Sequence, residues 1–336
     1  MACVVCLLAG VGLHAVVLPR LRGDSAAGTS IEGSELPQED PRRMSSQEQP
    51  EPWRPVPLHQ CADTSLAVLF TFHAGKQLAD AVAFLQQLQA MKPCFHTPAT
   101  LIIFTETEQS KQLAVDELTE HLKADTITGC FPEVEFRSAQ LTPAQDTYPK
   151  GASLQFHAAL DQVQGRFDYT LLIEPDVVVL QPGWLDAMCD VVSTHARLIG
   201  DEEGPWVIGS VPRAPKVRYP RPVSHRLHLN GNAIYNTRSA VFAGVRHSVR
   251  TNAFQNTQDK GELRSYQASD TGRAYDVDFA SFLFHSKHFD FVQQHYHRFI
   301  ASPFIQNWWR GKWSASHILE ESPQTFLVHG GTKIQS

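Results

Sequence analysis

The chain has 336 residues, of which 42% are hydrophobic, 10% aromatic and 19% charged, a composition that excludes a disordered, collagen-like or disulfide-dense mini-protein. Lys and Arg number 29 against 35 Asp and Glu, a formal charge of −6, whereas a general nucleic-acid binder carries the opposite balance. No nucleic-acid partner is therefore expected.

Residues 2–18 form an apolar run broken only by His14. A helix of that length spans roughly 25 Å, just short of an endoplasmic-reticulum bilayer of about 27 Å. Residues 1–23 thus read as a signal anchor or as a signal peptide. Arg20 and Arg22 follow the run and no basic residue precedes it, which the positive-inside rule disfavours for an anchor with a luminal C-terminal side. Ser25 and Ala27 offer a small-residue cleavage site. Either reading sends the chain into the secretory route.

Residues 24–57 carry Asp24, Glu32, Glu35, Glu39, Asp40, Glu48 and Glu51 against Arg42, Arg43 and Arg54, with prolines at 37, 41, 50, 52, 55 and 57. Such a stretch buries too little apolar area to offset its ordering entropy, so it reads as a disordered, acidic, Pro-rich stem. The folded domain is expected over residues 58–336. Outside the leader, Cys61, Cys94, Cys130 and Cys189 allow three pairings in an oxidising lumen, and spacing does not choose among them.

Within the domain, strand-like and helix-like segments alternate. Residues 65–72 (SLAVLFTF) read as a strand, and 76–91 as a helix with Leu78, Ala81, Val82, Leu85 and Leu88 at helical spacing. Residues 100–104 (TLIIF) predict a second strand, 109–123 a helix, 134–136 a third strand and 150–164 a helix. Residues 169–173 (YTLLI) are a strand of the fully buried kind. Repeated βαβ units imply an α/β fold, a mostly parallel sheet flanked by helices, with ligands beyond the carboxyl ends of the strands. That rule directs attention to residues 73–76, 105–108 and those after Ile173. His73 and Lys76 are expected there as nucleotide-binding residues, on position alone.

After Ile173 comes Glu174-Pro175-Asp176. In extended chain, residues i and i+2 point the same way, and Pro175 favours an extended Glu174. Two carboxylates held together repel unless a cation lies near them, and hard oxygen ligands suit Mg2+ or Mn2+ in company with phosphates. A turn bearing two solvated acids is the bland alternative.

The segment YTLLIEPDVVVLQPGWL resembles the metal-binding strand end of GT-A (Rossmann-like) glycosyltransferases, nucleotide-diphospho-sugar transferases whose usual motif is Asp-x-Asp. The Glu-Pro-Asp variant resembles a less characterised group of viral, bacterial and algal members. The resemblance implies that Asp176 binds Mn2+ (or Mg2+) bridging two phosphates, and that Glu174 contacts the metal or the donor. Three further segments extend it. His228-Leu229-Asn230-Gly231-Asn232-Ala233-Ile234-Tyr235 lies between a strand at 206–211 and a helix at about 238–245, and resembles the wall of the donor pocket, implicating Asn230, Gly231 and Asn232. Tyr275-Asp276-Val277-Asp278 opens an apolar helix at the place where the family sets an acid facing sugar or acceptor, implicating Asp276 first and Asp278 second as catalytic; helix capping explains one acid cheaply. In residues 326–333, FLVHGGTK, the resemblance implies His329 as a metal ligand and Lys333 as a diphosphate contact.

Two patches stand apart from these motifs. Residues 213–228 include Arg213, Lys216, Arg218, Arg221 and Arg226 without an acid, either to steer an anion or as a solvated loop. Trp308 and Trp309 are weak candidates for stacking on an acceptor.

Together these expectations describe a metal-assisted glycosyltransferase moving sugar from a nucleotide diphosphate sugar, UDP-sugar favoured, to a glycan or protein acceptor. Its location is expected to be the Golgi or endoplasmic-reticulum lumen, as a single-pass type II membrane protein held by its N-terminal segment, or else outside the cell. A non-catalytic nucleotide-sugar- or glycan-binding protein on the same fold is the alternative. A metal-dependent hydrolase is disfavoured, because the domain's one His-x-His pair, His295 and His297, lacks a nearby acid cluster.

Overall fold

The computed structural model describes residues 64–213, 228–250, 275–283, 288–308 and 311–334. The expected leader, stem, Cys61 and Trp309 lie outside the described residues, as does most of the basic segment. In chain order the first half contains β1 (Leu66–Thr71), α1 (Ala74–Met91), β2 (Thr100–Thr105), α2 (Glu108–Leu122), α3 (Asp125–Thr128), β3 (Glu133–Ser138), α4 (Lys150–Val163) and β4 (Tyr169–Ile173). Then come β5 (Val177–Val179), α5 (Trp184–Ile199), β6 (Val207–Gly209), β7 (Ala233–Asn236), α6 (Ala240–Arg250), α7 (Tyr275–Leu283) and α8 (Phe289–His295). The last described part holds β8 (Phe299–Ala301), β9 (Ile305–Asn307), β10 (Lys312–Trp313), α9 (Ala315–Glu321), β11 (Leu327–His329) and β12 (Thr332–Lys333). Among the described residues no helix is long and apolar enough to cross a membrane.

Seven strands form one sheet in the order β3-β2-β1-β4-β7-β6-β8. β1 pairs in parallel with β2 and β4, and β2 with β3, while β7 runs antiparallel to both its neighbours. Alternate residues of β1 explain why its sequence is apolar throughout. Leu66, Val68 and Phe70 join the core layer that contains α1, α2 and α5, whereas Ala67 and Leu69 join the layer of α4, α6 and α7. A strand with helices on both faces has no polar side, so it reads as a continuous hydrophobic run.

The predicted strands and helices of the first half appear within a few residues of their expected bounds. The helix expected at 238–245 begins instead at Ala240, for a local reason. Asn236 Oδ1 accepts the N–H groups of Arg238 and Ser239, and Ser239 Oγ accepts that of Phe242, so Ser239 acts as the cap. Of the cysteine pairings left open, the structure contains Cys94–Cys130, joining the connection between α1 and β2 to the connection between α3 and β3; Cys189 is also disulfide-bonded.

A second, small sheet in the order β5-β11-β9 sits beyond the end of β4. β11 pairs antiparallel with β5 so that His329 lies opposite Val177, one residue after Asp176. This pairing carries the C-terminal histidine to the Glu-Pro-Asp turn.

Candidate metal and donor site

Glu174 and Asp176 flank buried Pro175 after β4 in a turn closed by the Val177 N–H donating to Glu174 O at 3.1 Å, not in the extended chain expected. His329 Nε2 stands 3.2 Å from Asp176 Oδ2 and 3.6 Å from Glu174 Oε2. The three ligand atoms lie within 4.8 Å of one another and could hold a metal ion. His329 is nearly buried while Asp176 is about half exposed, so the group opens to solvent on the Asp176 side.

The electrostatics are those of crowded acids beside one imidazole. Burial pushes the Glu174 carboxyl up, and the charges of Asp176 and Asp276 push it the same way, against His329 and the Asn232 amide. Burial works against a charged His329, but its hydrogen bond to Asp176 and the charges of Asp176, Glu174 and Asp276 hold it above the ordinary histidine range. Nδ1 of His329 is buried and has no hydrogen-bond partner among the described residues.

Asn232 explains how Glu174 is aimed. Its side chain is fully buried, Oδ1 accepts the Glu174 N–H at 2.7 Å, and Nδ2 donates to Glu174 Oε2 at 3.1 Å. Asn230 Oδ1 in turn accepts from both the N–H and Nδ2 of Asn232, at 3.0 and 3.1 Å. The expected donor wall is thus first a brace for the acid pair. Gly231 is required between the two asparagines because a Cβ there would run into the Tyr275 ring. That ring stacks on Phe156 with centroids 3.9 Å apart, so it has nowhere to retreat.

Asp276 and Asp278 part company. Residues two apart on a helix point roughly 200° apart, so only one can face the site. Asp276 is the one brought to it: Oδ2 lies 3.5 Å from both Asn230 Nδ2 and His228 Nε2, and its charge is felt by Glu174 and His329. Asp278 is 1% exposed, its two oxygens have no partner among the described residues, and burial pushes its carboxyl up to about 8.

The other expected residues fall in three places. His73 sits at the N-terminus of α1 with Nδ1 3.2 Å from Glu106 Oε1 and Nε2 3.4 Å from Asp146 Oδ2. Lys76 is exposed on the first turn of that helix. Lys333 lies 5.9 Å over the Trp313 ring, and Trp308 donates from Nε1 to Gln306 and from its backbone to His329 O.

His73, Glu106 and Asp146 form a second group able to hold a metal. Here, though, the two ring nitrogens face different acids. Glu106 is already committed, because it accepts the Ala74 N–H at 3.0 Å and the Ser110 hydroxyl at 2.6 Å, capping α1 from the end of β2. Sequence reasoning pointed to residues 105–108 but did not single out Glu106; an acid immediately after a buried parallel strand was the available signal. Asp146, in the loop before α4, gave none.

No protein-family model matches the chain, and no curated protein matches it. Among solved structures, the chain is similar to the WbbM bifunctional glycosyltransferase, at 12% identity and a TM-score of 0.41 over 80% of this chain and 46% of that one. It therefore spans less than half of WbbM. It is similar to mouse xyloside xylosyltransferase 1 at 13% identity and a TM-score of 0.41, covering 80% of this chain and 97% of the other. A third, glucosyl-3-phosphoglycerate synthase from Mycobacterium tuberculosis in complex with Mn2+, UDP and glucosyl-3-phosphoglycerate, matches at 12% identity and a TM-score of 0.37 over 72% and 71% of the two chains.

Proposed function

We propose that the chain is a metal-assisted glycosyltransferase that moves a sugar from a nucleotide diphosphate sugar, UDP-sugar favoured, to a hydroxyl of a glycan or protein in the secretory pathway. The observation that carries this reading is the convergence of Glu174, Asp176 and His329 beyond the carboxyl end of β4, from two segments about 150 residues apart in sequence. One imidazole and two carboxylates fit a divalent cation, and the nitrogen ligand favours Mn2+ over Mg2+. When bound, such an ion supplies Lewis-acid stabilisation to the leaving diphosphate.

The chain's own residues do the rest. Asn232 fixes Glu174, and Asn230 fixes Asn232, so Glu174 is oriented before any ligand arrives. Asp276, in the first turn of α7, places a carboxylate beside Asn230 for sugar or acceptor hydroxyls. The Cys94–Cys130 disulfide supports an oxidising compartment, the Golgi or endoplasmic-reticulum lumen, with residues 1–23 as the membrane segment.

The test is consumption of a panel of UDP-, GDP- and CMP-sugars by the full chain, in Mn2+ and in EDTA. Metal-dependent release of one nucleotide, lost in Asp176→Asn, is the expected result. Binding of a nucleotide sugar without any turnover would favour the non-catalytic alternative.

A further inference from the structure

The space that Gly231 leaves open is filled by another part of the chain. A Cβ built there would meet first the Tyr275 hydroxyl oxygen and then the ring carbons behind it. The tip of Tyr275 therefore lies over the backbone between Asn230 and Asn232, the two residues that link Glu174 to Asp276. The ring is held from behind. It stacks on Phe156 of α4 with centroids 3.9 Å apart, and Phe156 meets the Tyr235 ring edge-on at 5.5 Å. Tyr235 in turn donates its own hydroxyl to Gly231 O at 2.9 Å. Packing thus fixes where the Tyr275 hydroxyl stands before any ligand arrives.

The amides of this wall are engaged with their neighbours. Asn232 Oδ1 accepts the Glu174 N–H and its Nδ2 donates to Glu174 and Asn230, while Asn230 Oδ1 also accepts the Asn232 N–H. The Tyr275 hydroxyl is in the opposite condition: it makes no hydrogen bond among the described residues. Unlike the oxygens of Asp278, which are also unpaired, it is not sealed from solvent, so its surface falls within the 7% of the residue that stays exposed. Burial and the charges of Glu174, Asp276 and Asp176 hold the phenol well above the usual tyrosine range, so the group is a neutral O–H that both donates and accepts. Three carboxylates near enough to act on it make the spot hostile to a further anion. A phosphate oxygen is therefore the wrong partner, and a neutral hydroxyl the right one.

Resting on the transferase reading, we propose that Tyr275 is a specificity-determining residue of the nucleotide-sugar site, its hydroxyl bonding to one hydroxyl of the sugar that is transferred. The diphosphate goes to the metal group, and the sugar attached to it extends along the wall from Glu174 past Asn232 towards Tyr275 and Asp276. A site that supplies a hydrogen bond to a substrate hydroxyl rejects the analogue lacking that hydroxyl, because its own polar group is then left unmade. Tyr275 thus selects among sugars without touching the nucleotide.

The experiment titrates the full chain in Mn2+ by calorimetry with UDP-glucose, UDP-galactose, UDP-xylose and GDP-mannose, each beside its free nucleotide diphosphate. The nucleotide sugar that binds best is then compared with its single-deoxy forms. In the parent, one deoxy form should bind about 10-fold more weakly, the worth of one neutral hydrogen bond. Tyr275→Phe removes only the hydroxyl and keeps the stack on Phe156. It should bind the intact nucleotide sugar about 10-fold more weakly than the parent, and that deoxy form and the free nucleotide within about 3-fold of it. Its melting midpoint without ligand should match the parent's, since no bond within the fold is lost. Tyr275→Phe binding every nucleotide sugar within about 3-fold of the parent, or weakening free nucleotide and nucleotide sugar equally, overturns the proposal while leaving the transferase reading standing. So does a parent that binds every single-deoxy form within about 3-fold of the intact sugar, a result that needs no variant and decides even if Tyr275→Phe does not fold. A folded parent that binds none of the nucleotides or nucleotide sugars removes the transferase reading, and this inference with it.

Discussion

Replacing Asn232 with Ala removes the brace on Glu174 without touching any expected metal ligand. Three bonds vanish: one from the Glu174 N–H, one to its carboxylate and one to Asn230 Oδ1. A neutral bond lost in a buried place costs about 1 kcal/mol, and a bond to a charged group about 1.5–3. Their sum is about 4 kcal/mol. Glu174 is one-third exposed, so water recovers part of its share and about 3 kcal/mol remains. At about 3 °C per kcal/mol for a domain of this size, the melting midpoint should fall by roughly 9 °C. Loss of an outer-sphere partner should also weaken Mn2+ binding by about 10–100-fold, read by titration with electron paramagnetic resonance. A folded Asn232→Ala protein that binds Mn2+ within about 3-fold of the parent would refute the assignment of Asn232 as the group that aims Glu174.

Gly231→Ala should cost about 1–3 kcal/mol by driving a methyl into the Tyr275 ring, and should abolish the nucleotide-induced thermal shift; urea unfolding and the melt check the two parts. Asp278 gives a pH signature. Its folded carboxyl titrates at about 8 while the unfolded one titrates near 3.8, so between those values the native state holds a proton the unfolded state has lost. Stability therefore falls as pH rises through that window, by about 1 kcal/mol per pH unit from this group, and is level above it. Asp278→Asn should flatten that decline, measured by urea unfolding at pH 5 and pH 8; an unchanged slope would contradict the burial of the carboxyl. Removing the Cys94–Cys130 bridge as a double Ala variant frees a 36-residue separation and should cost about 4 kcal/mol on loop entropy, read as the shift in urea midpoint.

The strands β1, β2 and β4 were legible because burial on both faces makes them continuous apolar runs between polar punctuation. Strand β7, antiparallel to both its neighbours in the seven-stranded sheet, was not, since its direction depends on a long connection rather than on local pattern. Helix α5 escaped notice even though Gly183 starts it at φ 72° and Gly200 ends it at φ 76°. Its beginning was read as the tail of the Glu-Pro-Asp motif. The acid pair was legible for a related reason: it sits where a parallel sheet ends, and Pro175 fixes its spacing. His329 became convincing only through the β5–β11 pairing, and the role of Asn232 only through its burial. The partners of His73 and Asp276 lie across loops, and which acid meets which histidine is a tertiary fact that spacing along the chain does not encode.

The most direct test of the central claim is a thermal melt of the full chain against UDP, GDP and CMP, each with Mn2+ or EDTA. A nucleotide at about 100 times its dissociation constant adds about 2.7 kcal/mol, enough to move the midpoint by several degrees. The account predicts a shift with one nucleotide, UDP favoured, that requires Mn2+ and disappears in Asp176→Asn. A folded protein that shifts with none of them, or shifts equally in EDTA and in Asp176→Asn, would contradict the assignment of Glu174, Asp176 and His329 as a metal-bound nucleotide-sugar site.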